Sequence, residues 1–258
     1  MMTRYEAWLN KKSLSAIDPS IYILDIAYAS PRFLTDASDI PGRNGQRVSG
    51  RYARTTSVVI TIEIHEHDTA RRQEVCRRVQ AWAMKGGMLT TNDRRGHRLR
   101  VICDSPPDIA SALKWTQPIK MTMTAYEQPF WEDEFPRSAS ISGMNATKTL
   151  YVPGIGAQTR VKASVKNLSG STIDTLTLKA GGTTFDFAGL GLGAGETLEI
   201  GYDENDLLTI HVGDVSKMSC RTAGSDDDLT LTTGKTENVS VYSGGEVSAT
   251  FKARGLYL

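Results

Sequence analysis

The run from Arg51 to His65 constrains this chain more than any other stretch. Val58, Ile60, Ile62 and Ile64 fall on one side of an extended backbone, and Val59, Thr61, Glu63 and His65 fall on the other. That period of two predicts a long strand with one face in a core and one wetter face. A lone hairpin is marginal in water, so neighbouring segments must supply partners. Tyr5, Ala7 and Leu9 alternate with polar residues, and Ile21 to Tyr28 is rich in β-branched and aromatic side chains. Met88 to Thr91 and Leu99 to Cys103 flank a turn through Arg94, Arg95 and Gly96, and another strand runs from about Trp115 to Ala125.

Helical spacing appears once. Val75, Val79 and Trp82 recur on one face with Cys76 and Ala83 alongside, Asp68 is placed to cap a first turn, and Gly86 to end the last. The pattern predicts a helix from Thr69 to Lys85. Its apolar stripe would cover the sheet, leaving Arg71, Arg72, Glu74, Arg77 and Arg78 in water. The segment from Ser30 to Gly50, with Pro31, Pro41, Gly42, Gly45 and Gly50 among polar residues, reads as a long loop. Loops of that length in a compact domain are often functional.

Past Pro136 the character of the chain changes. Residues 1–137 hold all four Trp, eight of nine Pro and six of 23 Gly, with 20 Lys and Arg against 16 acids; the remainder carries 10 against 13. Short strands follow at Arg160–Val165, Thr175–Lys179, Thr183–Phe187, Thr197–Ile200, Leu207–Val212, Asp228–Thr232, Asn238–Tyr242 and Glu246–Ala253, separated by glycine or acidic turns. These observations predict a mainly β protein of two domains. Residues 1–137 form a β-sandwich-like domain with one packed helix, residues 138–258 an all-β sandwich, and the joint falls near Phe135–Met144 beside the aromatic run Tyr126, Phe130, Trp131 and Phe135.

Several chemistries are weighed and set aside. Cys76, Cys103 and Cys220 are odd in number and lack paired spacing, so they read as buried free thiols of a protein made in a reducing cytosol. Met1 to Ile17 has no apolar core of leader length, and no run approaches the roughly 20 apolar residues of a membrane span. No dense basic stripe with aromatics suggests nucleic-acid binding. His65 and His67 share a strand face but lack a third metal ligand nearby; His97 and His211 stand alone. Gly189, Gly191, Gly193 and Gly195 lie between strands rather than before a helix, which predicts a hairpin turn and not a phosphate loop. Asp226, Asp227 and Asp228, like Asp203, Glu204 and Asp206, lack the spacing of a calcium loop. No nucleophile motif is present, so no catalytic residue and no cofactor is expected. One basic group stands apart: Arg43, Asn44, Arg47, Arg51 and Arg54 lie in and beside the long loop. At alternating positions Arg47, Arg51 and sometimes Arg54 would offer a row of forked donors to carboxylates on a partner, or a solubilising edge.

The order of these elements resembles the N-terminal domain of siphophage distal tail proteins. It comprises a strand pair, a loop carrying Pro41-Gly42-Arg43-Asn44-Gly45, a long alternating strand, one helix closing on Trp82, a Leu89 strand, a hairpin and an aromatic-proline joint. Val165-Lys166-Asn167, Ala194-Gly195-Glu196-Thr197-Leu198, and Thr233-Gly234 followed by Asn238 are similar to landmarks of that family's galectin-like C-terminal sandwich. Gly201-Tyr202-Asp203 departs from it, where an acidic residue would directly follow the apolar strand. The resemblance implies a non-enzymatic homohexameric ring at the virion tail tip, assembled in the host cytoplasm. Its partners would be the tail tube protein, a baseplate hub protein and receptor-binding proteins, with no nucleic acid and no membrane insertion. The second reading is a carbohydrate-binding module contacting the host envelope, and the third a hydrolase acting on it. Against the second, Trp is absent from residues 138–258.

Overall fold

Residues Gln46–Ile64 form one strand of 19 residues, and its inward positions Val58, Ile60, Ile62 and Ile64 are all buried. The computed structural model describes residues 5–40, 44–108, 118–203 and 206–258. It divides into two compact units, Met1–Glu132 with Leu258, and Asp133–Tyr257.

The first unit contains β1 (Ala7–Leu9), β2 (Lys12–Ser13), β3 (Ile21–Tyr28), β4 (Arg32–Asp39), β5 (Gln46–Ile64), α1 (Thr69–Ala83), β6 (Gly87–Thr91), β7 (His97–Ser105) and β8 (Ile119–Ala125). The sheet runs β2-β1-β6-β7-β8-β5-β3, with β4 added on β5. All of these pairings are antiparallel. The start of the strand predicted from Trp115 lies outside the described residues.

Helix α1 begins where Asp68 Oδ1 accepts from the amides of Ala70 at 2.7 Å and Arg71 at 3.1 Å, satisfying donors that have no partner within the helix. Val75, Cys76, Val79, Trp82 and Ala83 are buried, and Trp82 Nε1 donates to the Lys12 carbonyl at 2.9 Å. Beyond the helix Gly86 and Gly87 both take positive φ, and a Cβ on Gly87 would fall within 2.2 Å of the Asn10 side chain. That side chain bonds the Gly86 carbonyl at 2.8 Å and the Met88 amide at 2.9 Å, tying the end of the helix to the β1–β2 turn. Arg72 departs from its predicted place in water. It is 4% exposed, because its guanidinium turns back to donate to the Glu66 carbonyl just before the helix. The segment predicted as a loop is also different: Arg32–Asp39 and the first part of β5 pair as a hairpin arm.

β9 (Trp131–Asp133) lies where the chain passes to the second unit, and from Arg137 the passage is taken up by β10 (Arg137–Val152). There follow β11 (Gln158–Arg160), β12 (Lys162–Asn167), β13 (Leu176–Ala180), β14 (Thr183–Phe187), β15 (Thr197–Tyr202), β16 (Leu208–Val212), β17 (Val215–Ser216), β18 (Thr230–Thr232), β19 (Lys235–Ala253) and β20 (Leu256–Tyr257). The two strands predicted at Asn238 and Glu246 are one, β19. The first half of β19 pairs with β13 and its second half with β12, while β10 accompanies it throughout with a register shift between Gly143 and Asn145. The ribbon therefore stands in the middle of one continuous eight-stranded sheet that folds over a shared core into two layers. One layer continues through β13 and β14, the other through β12, β15, β16 and β17. Between them Val165, Leu178, Phe185, Leu198, Val241 and Phe251 are fully buried in one cluster, the arrangement of a β-sandwich.

Asn167 is buried within this core and fully bonded. Its Nδ2 donates to the carbonyls of Ser171 at 2.8 Å and Leu192 at 2.9 Å, and its Oδ1 accepts from the Ser169 amide at 2.8 Å. The glycines at 189, 191, 193 and 195 do not make the predicted hairpin. β14 and β15 pair with different strands, and the segment crosses from layer to layer. Leu190 and Leu192 alternate with those glycines and are wholly buried, so burial of the two leucines sets the path.

Candidate functional site

Two neighbouring residues of the first sheet fix the root of the arm. The Thr56 hydroxyl donates to the Ala29 carbonyl at 2.6 Å, and the Ala29 amide donates to Ser57 at 2.9 Å. Just before the root, the Tyr28 ring meets Trp131 edge-on at 5.6 Å, with the Arg94 guanidinium 4.4 Å from one ring centre and 5.0 Å from the other. The Tyr28 hydroxyl lies 2.5 Å from Asp93 Oδ1 and 2.9 Å from Thr91 Oγ1. Burial, and then the Asp93 carboxylate, push the phenol up, so it stays protonated. The arm springs from a braced position.

From there β4 and the first part of β5 pair only with each other. β8 joins β5 from Thr56 and β3 joins it from Val58. Arg32 pairs with Thr55 and Phe33 with Ala53, which leaves Arg54 as an extra residue on β5; a second shift leaves Ser49 extra. Such bulges twist a hairpin and re-aim it. The Ser49 hydroxyl closes its bulge by donating to Asp36 Oδ2 at 2.6 Å, and Gln46 bonds Asp39 at 3.0 Å toward the tip.

All eight residues of β4 are exposed. On the arm Phe33, Leu34, Val48 and Tyr52 face solvent, Val48 at 59% and Tyr52 at 60% exposure. Leu34 lies directly opposite Tyr52, whose ring covers Gly50, while Phe33, Thr35 and Ala37 alternate with them on β4. Each face of the arm thus presents apolar surface. A two-stranded arm without a covered face gains little from its own folding, and apolar surface gathered in this way is of the kind that interaction sites present. These four residues went unnoticed in the sequence because they show no period. The available signal was a set of large apolar side chains in a segment with no core to enter.

Arg43 lies outside the described residues. Asn44, Arg47 and Arg54 are exposed, Asn44 at the tip, Arg47 opposite Ser38 and Arg54 in the bulge at the root. Arg51 pairs through its backbone with Thr35. Because Ser49 is extra, Arg47 and Arg51 pair with positions 38 and 35, which alternate on β4.

The remaining candidates are scattered. His65 Nε2 lies 2.7 Å from Glu63, and its ring is 4.4 Å from that of Tyr22. Among the described residues no three His, Cys, Asp or Glu come together to hold a metal. Asp206 and Asp228, one from each acidic cluster, meet at Arg160, which pairs with both and lies 4.9 Å from the Tyr202 ring centre. Burial and the Asp228 carboxylate push the Tyr202 phenol up. Asp226 accepts from the Thr184 amide at 2.6 Å, so these acids hold loops together. Cys76 is buried and burial raises its thiol pKa, but Cys103 and Cys220 are half-buried rather than buried; all three are free. No helix among the described residues is long and apolar enough to cross a membrane.

No protein-family model matches the chain, and no curated protein matches it. Solved structures do. The SPP1 Dit protein, a paradigm of hub adsorption apparatus in Gram-positive infecting phages, is similar with a TM-score of 0.69 and 11% identity, over 98% of this chain and 99% of that one. A chain of the phage P2 baseplate in its activated conformation with calcium is similar with a TM-score of 0.54 and 8% identity, over 99% and 98%. The strontium form of that baseplate gives 0.52 and 9%, over 97% of each chain. At these identities the likeness is one of fold, and it spans both units.

Proposed function

We propose that this chain is a structural, non-enzymatic subunit of a phage tail tip, a distal tail protein that forms a homohexameric ring joining the tail tube to the baseplate. The observation that carries this reading is the likeness to the SPP1 Dit protein over nearly the whole of both chains. Fold alone does not carry function, so the arm supplies the second support. A closed ring of identical subunits requires a head-to-tail interface in which one patch fits a different patch on the next subunit. The arm offers such a patch: Phe33, Leu34, Val48 and Tyr52 supply apolar area, with Asn44, Arg47 and Arg54 as polar groups about them. The tail tube protein and a baseplate hub protein are the neighbours this reading assigns.

Antibody raised against the purified chain and coupled to gold tests the reading on phage particles. Label confined to the tip of the tail is the expected result. Label on the capsid, along the tail shaft or absent from particles overturns it.

A further inference from the structure

The outer face of one layer of the second unit has three features that the sandwich does not require. The first is Gly201, which sits inside β15 opposite Thr209 with no register shift in either of the strand's ladders. Its φ is not positive, and a Cβ there would meet only the Thr209 hydroxyl, at 3.7 Å. Glycine weakens a strand interior and marks a bulge, a bend or the close approach of another molecule. Here there is no bulge and no tight neighbour, so the sheet at Gly201 is open to the approach of another molecule.

The second feature is a pair of lysines. Lys162 and Lys252 stand directly opposite each other on β12 and β19, both exposed. Like charges in that position destabilise a sheet. Among the described residues no ion pair involves either of them.

The third is the set of groups around them. Glu199 accepts from the Ser164 hydroxyl at 2.7 Å, and His211 Nδ1 donates to the Gly213 carbonyl at 3.0 Å, leaving Nε2 as the other polar atom of that ring. With Thr209, Thr250 and Gly201 these residues line a depression of about 330 Å³. That volume is at the small end for ligand pockets and suits one or two sugar rings.

We propose that this depression binds an acidic saccharide. The paired ammonium groups take its phosphate or carboxylate, as lysine does for compact anions. Glu199 and the hydroxyls of Ser164, Thr209 and Thr250 bond its ring hydroxyls, and the missing side chain at Gly201 lets the ring reach the sheet. The proposal does not rest on the tail-tip role and fails or stands apart from it.

The test is saturation-transfer NMR on the full chain with glucose 6-phosphate, glucuronate and glucose, and inorganic phosphate as competitor. Transfer to the two acidic sugars and much weaker transfer to glucose is the expected pattern. Gly201→Leu fills the depression on a backbone that accepts a side chain, and it should abolish transfer while leaving the far-ultraviolet circular dichroism unchanged. Lys162→Gln or Lys252→Gln should weaken binding roughly tenfold, the loss of one charge-assisted bond. Four results overturn the proposal: no transfer to either acidic sugar, undiminished transfer in a folded Gly201→Leu, glucose binding as well as its phosphate, or full displacement by equimolar inorganic phosphate.

Discussion

Replacing Trp82 by alanine should cost the first unit about 4 kcal/mol. The indole is 5% exposed and closes the apolar stripe of α1 against the sheet, and its N–H is bonded to Lys12 at 2.9 Å. Truncating a buried aromatic side chain costs about 3–5 kcal/mol, through lost transfer energy and the cavity left behind. The unpaired Lys12 carbonyl adds about 1 kcal/mol unless water enters. Trp82→Phe separates the parts, since it keeps most of the apolar volume and loses the donor, and about 1–2 kcal/mol is expected. Urea melts are the assay. With a slope of about 2 kcal/mol per molar, the midpoint of the first unit should fall by about 2 M in the alanine variant and by under 1 M in the phenylalanine variant. The transition of the second unit should stay where it is. An alanine variant with the parent's midpoint, or one that shifts both transitions alike, refutes the reasoning about this helix and about separate cores.

Asn167→Leu removes three hydrogen bonds from the core, although the Leu192 carbonyl keeps the Ile173 amide, the Ser171 carbonyl the Ser169 hydroxyl and the Ser169 amide the Glu246 carbonyl, so the second unit alone should lose about 1–3 kcal/mol in the same melts. Val48→Asp with Tyr52→Asp alters only exposed positions, so the melting midpoints should hold while light scattering shows the assembly lost; an intact assembly places the interface off the arm. Burial alone would raise the Asp18 carboxyl, yet hydrogen bonds from Ser20 and Arg78 hold it below its usual 3.8. Its contribution is therefore present above that value and disappears as pH falls through the lower folded value. Asp18→Asn should flatten that acid limb of the first unit's stability, and an unchanged limb assigns the acid sensitivity to other groups.

Features written in local chemistry were legible. Asp68, the Val75-Val79-Trp82 stripe and Gly86 carry the start, face and end of α1 within one stretch of chain, and the inward side of β5 is spelled by Val58 to Ile64. What escaped depends on partners distant in sequence. β4 is held by its ladder to β5 and buries no face of its own, so no alternation of side chains announces it. The glycines around Leu190 and Leu192 resemble a turn until the burial of both leucines forces the chain across the sandwich. Arg160 joins Asp206 and Asp228, 46 and 68 residues away, a contact that leaves no local mark. Arg72 bonds a backbone carbonyl, which any residue type at position 66 would provide.

The mass of the purified chain in solution tests the central claim most directly. By light scattering or native mass spectrometry, a species six times the 28.2 kDa of one chain, lost on introducing Val48→Asp and Tyr52→Asp, is the predicted result. A monomer at all concentrations, or a closed assembly of another order, contradicts the hexameric ring.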